Sequence, residues 1–182
     1  MQYPATLPYP IVSRIRLCTL RLLVAALLVT PGGALQAATG AALDAAREAA
    51  VRAARDGAVA EALTTLERLY QDHPDDRQLR FDLAVVAGWH GADARVTGLL
   101  EDLPPEVLPD YVLAAYAKAE RNLKHWDRAQ ALYERLAQRR PGATEPALAR
   151  VLVLADAGRF DAARQALASL RATADGAAEP AR

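Results

Sequence analysis

The chain has 182 residues, 22 basic and 22 acidic side chains, a single cysteine and only 5% aromatic residues. A chain without excess base is a poor candidate for nucleic acid, whose phosphates demand basic stripes, and one cysteine excludes a scaffold stapled by disulfides. The length suits one domain or a small domain with a leader.

Residues 1–37 carry Arg14, Arg16 and Arg21 and no acid, then an apolar run from Leu22 to Val29, a breaker at Pro31-Gly32-Gly33, and small residues around Leu35-Gln36-Ala37. That order describes a secretory signal peptide with cleavage expected after Ala37. The apolar run falls well short of the ~20 residues that a membrane-spanning helix needs. Cys18 precedes the apolar core in Arg16-Leu17-Cys18, without the small residues expected before a lipidated cysteine, so no lipoprotein is expected. Removing the leader leaves 19 basic against 22 acidic residues and no cysteine. The mature chain is then mildly acidic, long enough for one domain with its own core, and too short for an outer-membrane barrel besides.

Beyond residue 40 one unit recurs. Ala62, Val96, Ala129 and Ala163 stand 34, 33 and 34 apart, with Gly57, Gly91, Lys124 and Gly158 at the turn five residues earlier. In the same register Leu66, Leu100, Tyr133 and Leu167 follow four residues later, then Leu69, Leu103, Leu136 and Leu170. A period of about 34 with a small residue in the second helix and Pro74 and Pro141 after it is the tetratricopeptide pattern. Few β-branched residues and abundant Ala, Leu and Arg favour helix between the turns. The expected fold is therefore all-α, a solenoid of four helix-turn-helix repeats over 38–172 (about 43–76, 77–109, 110–143 and 144–172), with a disordered tail at 173–182. Helices are expected at 40–56, 59–72, 77–90, 93–103, 110–122, 126–139, 145–157 and 160–172.

Within a repeat the small residue lets two helices approach, and the Leu or Tyr four residues on fills the gap to the next repeat. The second repeat departs from this, because Val96 replaces the small residue and Pro104-Pro105 end its second helix early, so a longer or kinked connection is expected there. Asp75-Asp76 after Pro74 read as a turn capping the next helix. Trp126, Phe160, Tyr70, Tyr116 and Tyr133 are expected to cover inter-helix joints, and Arg139-Arg140 to offset a helix macrodipole. The face of Ala166, Leu167 and Leu170 has no helix after it, and weak self-association through it is expected.

The strings Val85-Val86-Ala87-Gly88-Trp89-His90-Gly91, Ala119-Glu120-Arg121-Asn122-Leu123-Lys124-His125-Trp126 and Leu154-Ala155-Asp156-Ala157-Gly158-Arg159-Phe160-Asp161 are more specific than the repeat. With Leu43-Asp44-Ala45-Ala46 and Ala53-Ala54-Arg55-Asp56-Gly57, they resemble the periplasmic repeat region of the outer-membrane poly-β-1,6-N-acetylglucosamine export porin, over residues 40–171. The resemblance implies a periplasmic module of biofilm exopolysaccharide export, engaging partly de-acetylated polymer or the periplasmic de-acetylase. It also implies a C-terminal outer-membrane barrel, and no barrel follows Ala172 in this sequence. The chain reads either as a fragment of such a porin, associated with the outer membrane, or as a free periplasmic repeat protein.

Such a solenoid exposes the first helix of each repeat on a groove. Its positions hold Asp44, Arg47 and Arg55, then Gln78, Phe81, Val85 and Trp89, then Tyr111, Lys118, Arg121 and Asn122, and last Glu145, Leu148, Leu152 and Asp156. A sugar chain takes flat aromatic faces and polar forks; Trp89, Phe81 and Tyr111 would supply the first, Gln78, Asn122 and Arg121 the second. Asp44, Asp156 or Glu145 would pair with the amine of a de-acetylated sugar. The alternative is that Trp89 and Phe81 pack between helices and the charges are solvated. His73, His90 and His125 lack the spacing of a zinc site, and no cofactor motif appears. Nor is there a nucleophile elbow or a phosphate-cradling glycine loop, so no enzyme is expected. The rival function is a generic envelope scaffold holding a peptide or partner helix in the groove.

Overall fold

The computed structural model describes residues 32–178, with side chains described over 40–172. By its contacts the chain divides into two units, 1–43 and 44–182. Of the first, the described residues are the opening of helix α1 (Gly32–Arg55). The second holds the rest of α1 and the helices α2 (Val59–Asp72), α3 (Arg77–His90), α4 (Asp93–Leu100), α5 (Asp110–Asn122), α6 (Trp126–Arg139), α7 (Thr144–Asp156) and α8 (Phe160–Ala178), with a 3₁₀ turn at Pro105–Val107. The described residues contain no strand. No described helix is long and apolar enough to cross a bilayer; Leu22 to Val29 and Cys18 lie outside the described residues.

From α2 to α7 the expected helix limits agree with the observed ones within one residue, apart from α4. That helix stops at Leu100 and the chain reaches α5 through the 3₁₀ turn, the long connection that Pro104-Pro105 predict, since neither proline supplies a backbone donor. The two ends differ more. α1 starts at Gly32, so Gly32 and Gly33 belong to a helix instead of a breaker, and α8 continues to Ala178, six residues past the expected limit. In both places alanine-rich sequence favours extending the helix.

The turns follow the repeat. Gly57, Gly91 and Gly158 all have positive φ, and at the equivalent place in the third repeat Lys124 adopts φ 65°. The Asp76 side chain accepts a hydrogen bond from the Leu79 N–H at 2.9 Å, capping α3 as its position after Pro74 suggested.

Each helix from α2 onward packs on the next, and α3 also packs on α5, so consecutive repeats share one core. Leu66, Leu79, Leu83, Leu100, Leu113 and Val153 are fully buried in it. One repeat cannot bury that much apolar surface alone, so stability depends on stacking. Val96 fits where a small residue was expected because Gly88 stands opposite: a β-carbon there would lie 3.6 Å from Val96 Cγ2. The small partner has moved to the other helix. At the C-terminal end Ala166 and Leu167 pack against Val151, Leu154 and Ala163, so the face expected to be bare is half-buried.

Candidate functional site

The first helices of successive repeats, α1, α3, α5 and α7, line a groove of about 780 Å³. Helical periodicity puts Val85 and Trp89 on one turn-to-turn stripe of α3 and Tyr111, Ala115 and Lys118 on the matching stripe of α5. Val85, Ala114, Ala115, Pro146 and Ala149 give an apolar floor, over which Trp89 and Tyr111 stand, each 46% exposed. A shallower hollow of about 480 Å³ continues from it between α1 and α3, lined by Arg47, Arg52 and Gln78 and sharing Arg55 and Tyr111 with the main groove.

A hydrogen-bonded chain crosses three repeats beside that hollow. Arg47 Nη1 donates to Asp82 Oδ2 at 2.5 Å, and its Nη2 to Asp44 Oδ1 at 3.3 Å. Gln78 Nε2 donates to Asp82 Oδ1 at 3.1 Å and to the Tyr111 hydroxyl at 2.9 Å. Asp82 is buried, and its pairing with Arg47 spans 35 residues, one repeat. Burial alone would lower the Arg47 pKa, but the hydrogen bond and attraction to Asp82, with help from Asp44, outweigh that and raise it. The arginine stays charged, and it fixes Asp82, Gln78 and Tyr111 in turn.

The sequence-selected residues fare differently. Trp89, Tyr111, Val85, Arg55, Lys118 and Glu145 share the main groove. Gln78 reaches the hollow, with its amide already engaged. Phe81 does not reach the groove: at 4% exposure it is a core residue, because its position on α3 turns it toward the helices packed behind. Arg121 donates from Nε to Asp156 Oδ2 at 2.7 Å, and Asn122 Nδ2 to Asp93 Oδ2 at 3.0 Å. Asp44 and Asp156 are each paired with an arginine, Asp44 with Arg47 and Asp156 with Arg121. Leu148 and Leu152 are exposed on α7.

Two residues outside the selected groove set, Glu120, which sequence reasoning gave no role, and Arg139, which it gave only a helix dipole to offset, each hold several partners. Glu120 is fully buried; its Oε1 accepts from Thr97 Oγ1 at 2.8 Å and lies 3.5 Å from Arg128 Nη1, while its Oε2 is 2.9 Å from His125 Nδ1. The Glu120 charge raises the Arg128 pKa, and burial followed by Glu120 raises that of Tyr116. Arg139 does more than face a helix dipole. Its Nη1 donates to the Leu108 carbonyl at 2.7 Å and its Nη2 to those of Pro105 and Glu106 at 2.8 and 2.9 Å. The planar guanidinium supplies donors to the Glu106 and Leu108 carbonyls and a second donor to that of Pro105, which also accepts from the Leu108 N–H at 3.3 Å. No local signal marks Glu120, which stands between Lys118 and Arg121 like a solvated acid, and Arg139 lies 34 residues from the Pro105 carbonyl that it reaches.

Of the joint-covering aromatics, Tyr116 and Tyr133 are buried, and burial raises the Tyr133 pKa. Phe160 is not: it is 60% exposed, since it opens α8 on the solvent side. Among the described residues no three His, Cys, Asp or Glu side chains are placed to hold a metal.

These helix pairs, their glycine turns and the shared core define a tetratricopeptide-type helical solenoid. Among solved structures the chain is similar to MamA of AMB-1, with a TM-score of 0.62 and 21% identity over 74% of this chain and 74% of that one. It is also similar to MamA of MSR-1, with a TM-score of 0.59 and 23% identity over 70% of this chain and 74% of that one. At such identities the likeness establishes the fold. No family model and no curated protein matches the chain. The repeat-type fold that the resemblance implied is established; the porin identity is not.

Proposed function

We propose that this chain is a non-catalytic interaction scaffold whose groove receives a segment of a partner protein. The observation that carries the reading is the pair Trp89 and Tyr111, half-exposed over an apolar floor on adjacent rigid helices. Tryptophan and tyrosine are the residues that most often anchor interfaces. Tyr111 is also held in advance by Gln78, Asp82 and Arg47, so less side-chain freedom is lost when a partner binds. A photo-reactive amino acid at position 111 should give discrete protein adducts in cells, absent when it replaces exposed Glu134 and lost when Trp89→Ala is added. Identical adducts from both positions, or adducts indifferent to Trp89, would sink the proposal.

The second reading is the exopolysaccharide-export module, with residues 1–37 as its secretory leader, a periplasmic site of action, and de-acetylated polymer, its de-acetylase or a barrel as partner. The family-like strings and the two aromatic faces favour it; the engaged state of Asp44 and Asp156 weighs against an amine-binding groove. Titration with acetylated and de-acetylated β-1,6-glucosamine oligomers, read by tryptophan fluorescence in wild type and Trp89→Ala, decides it. Saturable, Trp89-dependent binding would favour export over a protein partner, and no binding by either oligomer would remove it.

A further inference from the structure

The acids and bases that line the groove are not equally available. Asp82 is bound to Arg47 and Gln78, and Asp110 lies 3.4 Å from Arg139 Nη1. Arg55, Lys118 and Arg140 line the same groove, all three exposed, and no hydrogen bond or ion pair joins the side chain of any of them to another described residue. Only Glu145 opposes them as an unpaired carboxylate in that groove. In the adjoining hollow Arg52 is balanced by the exposed carboxylate of Glu48, so the excess of cations is confined to the main groove. A chain with balanced overall charge thus presents a groove whose free charge is positive.

We infer that the partner segment is acidic, a peptide that sets one apolar side chain against Val85, Ala115 and the Trp89 ring and its carboxylates against Arg55, Lys118 and Arg140. This rests on the groove being an interaction site and adds the chemistry of its occupant. Complementary charge selects partners and steers encounter. The apolar floor selects a peptide over a uniform polyanion, which has nothing to place on it. The solvated cations cost little to desolvate at the rim, while the buried acid is neutralised from within by Arg47 and does not repel the incoming carboxylates.

The test is selection of a displayed random-peptide library on the full chain, with Trp89→Ala as the counter-selection. Enriched peptides should be net negative with one conserved large apolar residue. Their affinity should fall with added salt and weaken about three- to tenfold in Arg55→Glu and in Lys118→Glu, which are exposed positions. Unchanged helical content and melting temperature in those variants would assign the loss to the groove, and Glu134→Lys on α6 should leave binding as it was. Enrichment of basic or neutral peptides that still need Trp89 would overturn the acidic assignment and leave the scaffold reading standing. Peptides indifferent to Trp89, or none at all, would overturn both. Equal competition by a heparin fragment lacking apolar groups would show a polyanion site and overturn the peptide.

Discussion

At the junction of the second and third repeats the chain breaks its own pattern, and side chains from the next repeat hold the break. α4 is only 8 residues long, and Arg139 from α6 reaches back to three carbonyls of the connection after it. Glu120 ties Thr97 of α4 to His125 and Arg128 from inside the core. The fourth repeat keeps the pattern, with Gly158 at the turn and Ala163 buried in the second helix. Its polar contacts with the third, Arg121 to Asp156 and Arg159 to Asp127, lie on the surface. The fourth repeat thus meets the third by apolar stacking with polar contacts only at the surface, whereas the irregular junction adds polar staples, because a carbonyl released from a helix must find another donor.

The contrast can be broken most directly at Glu120. His125 and Arg128 are half-exposed, so Glu120→Ala strands no buried charge; it leaves a cavity and an unpaired Thr97 hydroxyl and should cost about 2–4 kcal/mol in urea unfolding. A loss below 1 kcal/mol would mean the staple is idle and the two regions are held alike. Next comes Arg139→Ala, which leaves the Glu106 and Leu108 carbonyls to water and should cost about 1–2 kcal/mol. Arg139→Lys should recover only part of this, since an ammonium cannot reach all three carbonyls with one planar fork; full recovery would show that charge alone matters.

A smaller effect, of opposite sign, is expected at the turns. Lys124 holds at φ 65° a conformation that Gly158 adopts freely in the fourth repeat, so Lys124→Gly should stabilise by up to about 1 kcal/mol, seen as a higher melting temperature. If Gly at 124 destabilises, the lysine side chain contributes something that the turn geometry does not reveal. Least of all should change at Phe160→Ala, within about 0.5 kcal/mol, because that ring is mostly in solvent. A loss of several kcal/mol there would put a hidden contact in the fourth repeat and remove the asymmetry.

Much of the groove was legible before the structure, and its failures share one cause. Trp89, Tyr111, Lys118 and Glu145 were selected by repeat position and do line one groove, whereas Phe81, selected by the same rule, is core. Trp89 lies eight residues after Phe81, and on a helix of 3.6 residues per turn eight residues drift by about 80°, enough to carry one ring inward and the other to the rim. Position in a repeat gives a residue's approximate face; the packing of the neighbouring helix decides which edge of that face is buried.

The sequence by itself marked the helices among the described residues and the places where they turn, because a period of about 34 with small, apolar and glycine positions is a local pattern, kept in outline even where Val96 and Lys124 depart from it. It also marked the irregular connection, since proline acts on its own backbone. Only the tertiary structure decided which charges are free. Arg47 meets Asp82 35 residues away, Arg121 meets Asp156 at the same separation, and Arg139 meets Pro105 at 34. Those partners become neighbours only when repeats stack, and stacking is what leaves Arg55, Lys118 and Arg140 as the unpaired cations of the groove.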